Sequence, residues 1–181
     1  QPENYEGLAW GWRLVLPMIG GIALAALFRW AGGGLEVLGV ARVMERMAYH
    51  QGYLTVRGFV LQFVGAAVAI VSGHSVGREG PHVFLGAASG SFLGQWLSLP
   101  NNSIRTLVGC GTAAGIAASF NTPLAGVVFA LEVVMMEYTV ASFIPVIVAA
   151  TSATALSVAV FGPEPAFSMP PLAPFNLGEI P

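Results

Sequence analysis

Between Ser75 and Val83 the chain reads SVGREGPHV: a charged pair, Arg78 and Glu79, followed by the step Gly80-Pro81. Apolar sequence flanks this stretch on both sides. Pro81 suits the first turn of a helix, where its missing N–H is not needed. Gly77 and Gly80 permit the backbone turn that a helix break requires. The spacing therefore predicts a helix beginning at Glu79 to Pro81, within an apolar region.

The wider composition sets that break in a membrane. Of 181 residues, 55% are hydrophobic and only 9% are charged, where soluble domains carry about 25% charged residues. Mean hydropathy is +0.73. Gly58 to Val76, Gly80 to Ile104, Thr106 to Leu131 and Tyr138 to Pro163 contain no charged side chain. A spanning helix needs about 20 mostly apolar residues, and each run approaches or exceeds that length. The expected fold is an all-α, multi-pass membrane protein with broken helices.

Several function classes fall away. A net charge of −2 leaves no basic face for a nucleic acid, so no nucleic-acid partner is expected. Neither GxxxxGK[ST] nor HExxH occurs, and no nucleophile–base pair or metal set appears; no enzyme activity, cofactor or metal site is expected. His74 and His82 flank the break without metal-ligand spacing, so packing or a hydrogen bond is expected of them. The single cysteine, Cys110, cannot form an internal disulfide and reads as a packing residue. Gln1 to Gly7 is polar and lacks the basic start of a signal peptide. With no initiator methionine, the chain is expected to be a piece of something longer.

Along the chain, Leu8 to Phe28 is apolar apart from Arg13, with Trp10 and Trp12 suited to a membrane–water interface. Arg29, Arg42, Arg46 and Arg57 are four of the seven basic residues, and the positive-inside rule puts this stretch in the cytoplasm. Arg42 to Met47 is expected to be a short amphipathic helix lying at the surface. Gly86, Gly90 and Gly94 recur every fourth position, as do Gly111, Gly115 and Ser119; such stripes let membrane helices approach closely. Asn101-Asn102-Ser103 offers side-chain caps for a helix. Pro123 divides the run after Asn121-Thr122 into two helical pieces, and Pro145 is expected to kink or open another. Glu132 and Glu137 mark the wet end of an uncharged helix. Residues 162–181 hold six prolines and read as a linker outside the membrane, following a membrane domain at 1–161.

Broken helices survive at membrane depth only where protein or a water-filled cavity surrounds them. Their free amides and dipole attract an anion, a recurring device of transporters. Glu79, when ionised, can occupy the position of a permeant anion and close the path; protonated or displaced, it releases the site. The competing view is a structural salt bridge with Arg78, but adjacent residues on a helix do not face each other, and ionisable groups inside membranes are usually functional.

At these residues the chain resembles the CLC chloride channels and proton/chloride exchangers. Gly77 to Pro81, GREGP, resembles that family's signature, and Gly111 to Val134, GTAAGIAASFNTPLAGVVFALEVV, resembles its next helix pair. The resemblance runs from Leu8 to about Val160. It implies gated chloride transport through a pathway in each subunit of a homodimer, built from two inverted repeats of which this chain holds the first. It implies that Glu79 is the gate and that Gly77, Arg78, Glu79, Gly80 and Pro81 bind the anion. Gly33 and Gly34 join them, with Gly33 where the family usually has a serine that contacts the ion. Val133 stands where proton-coupled members often carry a glutamate, which favours a passive pathway; a proton-coupled antiporter and a secondary transporter of another small anion are the alternatives. The second half of the subunit, with its own anion-contacting motif, is the missing partner, and the cell (inner) membrane is the expected location.

Overall fold

The computed structural model describes residues 9–32 and 38–162. Among them there is no strand. The helices are α1 (Trp10–Gly32), α2 (Val40–Tyr49), α3 (Val56–Val71), α4 (Glu79–Trp96), α5 (Asn101–Phe120), α6 (Pro123–Phe129) and α7 (Val140–Phe161). Helix α6 widens without interruption into a π-helical turn at Ala130–Met135.

Only α1 and α7, among the described residues, are long and apolar enough to cross a bilayer unaided. Their side chains are correspondingly open: Trp10 is 79% and Trp12 58% exposed on α1, as is much of α7. The charge-free run from Gly58 does not yield a full span. Helix α3 has 16 residues, about 24 Å at 1.5 Å per residue, and it stops short of a hydrocarbon core about 30 Å thick. The chain therefore leaves helical geometry before the next charged residues arrive.

Helix α5 is the centre of the packing, against α4, α6 and α7, while α1 pairs with α3. The glycine stripes are what bring α4 and α5 together. A methyl group at Gly86 would overlap the Gly111 carbonyl, and one at Gly111 would overlap the Gly86 carbonyl. Gly90 faces the Leu107 backbone in the same way, and Gly115 faces the His82 carbonyl at 2.7 Å from an ideal Cβ. Bare backbone on both helices is the only way this approach is possible. Around the seam lies an apolar core that includes Phe84, Ala87, Ile104, Val108 and Ala113, all at most 1% exposed. Cys110 is buried and free within it.

Four details differ from the sequence expectation. Helix α2 is amphipathic but is more than a surface element: Val43 and Met47 are buried against α4 and the π-turn, because its one apolar stripe finds the core, while Ala41, Ala48 and Tyr49 stay exposed. Helix α1 runs on through Arg29 to Gly32. Helix α5 is capped by Pro100, with no side-chain cap from the Asn-Asn-Ser stretch; the Ser103 and Ile104 amides donate to the Pro100 carbonyl. Pro145 does not open α7, which begins five residues earlier under a Thr139 cap. By contrast, the break at Pro123 stands, with Asn121 in the left-handed region ending α5. Gly162 closes α7; residues 163–181, assigned above to a linker, lie outside the described residues.

Candidate functional site

The segment from Ser72 to Arg78 carries the chain from α3 into α4, and each step has a local cause. The Ser72 amide and hydroxyl both donate to the Val68 carbonyl, closing the last turn of α3. Gly73 takes a φ of 77°, a region where only glycine is free of steric cost, and His74 N–H donates back to Ala69 at 3.0 Å. The His74 Nδ1 lies 2.9 Å from the Ser72 hydroxyl. Both side chains rest on α1, where Gly20 leaves no room for a Cβ beside Ser72. The hydrogen-bond role expected for His74 is thus met, and α1 pins the crossover at its start.

Helix α4 then begins at Glu79, with Arg78 as its N-cap and Pro81 in its first turn. The Arg78 carbonyl accepts from His82 N–H at 3.2 Å, so the helix starts where the sequence spacing puts it. The Glu79 side chain folds back over the Gly77 backbone: its Cδ would lie 3.3 Å from a Cβ at residue 77, and one carboxylate oxygen would overlap it. Gly77 is a place that Glu79 occupies. Gly80 has no atom within 4 Å of its ideal Cβ position, leaving the first turn open. Glu79, Arg78 and Gly77 are exposed, and Gly80 and Pro81 half-buried. No ion pair joins Arg78 to Glu79 among the described residues.

A second helix start meets this one. Gly39, the N-cap of α2 with a φ of 83°, has its ideal Cβ position 4.0 Å from the Gly80 Cα. Two positive dipole ends thus approach each other at the Gly39–Gly80 contact, an arrangement that suits a small anion. Sequence reasoning did not single out Gly39; the signal was a glycine immediately before the amphipathic run Val40 to Tyr49. Gly33 and Gly34 lie outside the described residues. His82 is half-buried, and its Nδ1 is buried without a hydrogen-bond partner. Glu132 and Glu137 are both exposed, away from this opening.

A family model described as voltage gated chloride channel matches residues 14–181. The chain belongs to the voltage gated chloride channel family. Its multi-pass, all-helical membrane fold is that family's. The chain is 35% identical over 169 residues to a Ralstonia nicotianae protein named "chloride channel protein ClcB-like", covering 91% of this chain and 39% of the relative. It is 34% identical over 147 residues to a Yersinia pestis voltage-gated ClC-type chloride channel, covering 79% of this chain and 35% of that one. A Vibrio cholerae H(+)/Cl(−) exchange transporter is 35% identical over 113 residues, covering 61% and 24%. The chain thus spans at most about two fifths of the length of these relatives. No solved structure matches it.

Proposed function

We propose that this chain forms the first part of a chloride-translocating membrane domain in which Glu79 gates the path. One observation carries the proposal: an interrupted apolar run restarts as α4 at an acidic residue whose carboxylate lies over its own helix start, beside the start of α2. An anion drawn to these helix starts would meet the Glu79 carboxylate there, so the two compete for one place. Gly77 to Pro81 supply the backbone of the site, and the segment containing Gly33 and Gly34 is proposed to add to it ahead of α2. The remainder of the subunit completes the pathway, and two such subunits form the homodimer in the cell (inner) membrane. Residues 1–161 are assigned to the membrane domain and residues 162–181 to a linker.

The names of the relatives include both channels and an exchanger, and either mode uses the same gate. Val133, an apolar residue beside Glu132, favours passive movement.

Chloride efflux from liposomes containing the full-length parent tests the proposal. Glu79→Ala is expected to keep or raise the flux and to abolish its dependence on pH. A variant with wild-type flux and pH response would leave Glu79 without the assigned role. Proton movement recorded in the same vesicles distinguishes the modes: fixed proton-to-chloride stoichiometry would reverse the inference from Val133.

A further inference from the structure

At the end of the bundle where α5 and α7 begin, a cavity of about 710 Å³ opens between them. Arg105, half-buried, and Glu137, exposed, both line it. Among the described residues, neither side chain makes an ion pair or hydrogen bond, and the two do not pair with each other. Opposite charges sharing one cavity without meeting leave room for something between them. Asn102 and Thr139 contribute polar groups to the same walls, and Leu107 and Pro145 contribute apolar ones.

The aromatic residues fix the depth of this cavity. Trp96, at the end of α4, is 81% exposed, and Tyr138, just before α7, is 72% exposed. Tyr49 and Tyr53 are exposed too. They flank Gly52, whose ideal Cβ position is 3.6 Å from the Arg105 Cα. Exposed Trp and Tyr gathered at one end of a membrane bundle mark the headgroup level. The cavity therefore lies at the depth of lipid phosphates and amines. The turn holding Gly52 continues the basic segment, so the facing leaflet is the one on that segment's side.

We propose that this cavity holds the headgroup of a phospholipid of the phosphoethanolamine class. The phosphate lies on Arg105, whose guanidinium presents a fork of donors matched to phosphate oxygens. The ammonium lies on the Glu137 carboxylate, and the acyl chains leave along Leu107 and Pro145. The residue pair has no net charge, as the zwitterionic headgroup has none. A purely anionic headgroup would set a negative charge near Glu137 with nothing to offset it.

Native mass spectrometry of the full-length parent, titrated with phosphatidylethanolamine, phosphatidylglycerol or phosphatidylcholine of matched acyl chains, tests this. Wild type is expected to retain phosphatidylethanolamine in preference to the other two. Arg105→Ala should weaken retention of phosphatidylethanolamine about tenfold, the scale of one lost charge-assisted contact. Glu137→Gln should abolish the preference over phosphatidylglycerol while leaving the phosphate contact. If Arg105→Ala does not assemble, Arg105→Gln carries the same expectation. Equal or stronger retention of phosphatidylglycerol by wild type overturns the assignment, as does unchanged phosphatidylethanolamine retention in both Arg105→Gln and Glu137→Gln. Soluble phosphoethanolamine at the same concentrations distinguishes headgroup from lipid: displacement of the bound lipid supports the site, and no displacement at saturation overturns a headgroup-led contact.

Discussion

Gly90→Ala isolates the helix seam on which the rest of the bundle depends. A Cβ at Gly90 would overlap the Leu107 carbonyl oxygen, lie 2.7 Å from its carbon and 3.2 Å from the Val108 nitrogen. Each of these is a backbone atom of α5, so no rotamer change relieves the contact and the helices must move apart. Overpacking of this kind costs about 1–3 kcal/mol. Alanine is favoured over glycine in a helix interior by about 1 kcal/mol, which offsets part of the loss. Because backbone is involved, we expect a net destabilisation of about 1–2 kcal/mol. Gly11→Ala is the matched control, since nothing lies within 4 Å of its ideal Cβ; it should be neutral or stabilising. Denaturation of the full-length parent in detergent micelles, followed by circular dichroism, reads both variants. A Gly90→Ala protein at least as stable as Gly11→Ala would refute close α4–α5 contact at this position.

Two further outcomes follow from polar contacts. Ser91 is fully buried; its hydroxyl donates to the Gly52 carbonyl at 2.7 Å and accepts from the Leu54 amide at 3.0 Å and Gln95 Nε2 at 2.8 Å. Ser91→Ala strands these groups and should cost about 1–3 kcal/mol in the same detergent assay, with Ser89→Ala on the exposed face as a near-neutral control. On α2, the Arg42 guanidinium donates to the Glu45 carboxylate at 2.8 Å, holding that carboxyl below its ordinary range. A depressed folded-state value means the contact contributes above the unfolded value and is lost as pH falls through the folded one. Carboxyl chemical shifts should show Glu45 titrating higher in Arg42→Ala than in wild type; an unmoved titration would remove the pair from the account.

Much of this architecture was legible in the residues because membrane helices have few ways to satisfy their backbone. Pro81 after Arg78-Glu79-Gly80 could only open a helix, and α4 opens there. Pro123 after Asn121-Thr122 could only divide one, and Asn121 accepts the left-handed turn. The small-residue stripes let helices approach, and Gly86, Gly90, Gly111 and Gly115 face backbone across the α4–α5 seam. Pro145 stands inside α7 instead of opening it because the Thr139 cap starts the helix five residues ahead of it. The Asn-Asn-Ser stretch misled because Pro100, already extended, took the cap position first. The burial of Val43 and Met47 depended on a groove formed by α4 and the π-turn, residues far away in sequence.

The order of charged and uncharged residues by itself determined that this chain enters a bilayer, where it breaks, and which carboxylate stands at the break. Those are local matters: hydrocarbon rejects charge, glycine permits backbone angles that other residues avoid, and proline fixes φ wherever it stands. Only the tertiary structure decided that Gly39 meets Gly80, that Glu79 turns back over Gly77, and that Arg105 and Glu137 share one cavity unpaired. The first and last of these join segments through helix packing, whose crossing geometry depends on the combined shape of several faces at once, and the second is a side-chain orientation that residue order does not dictate.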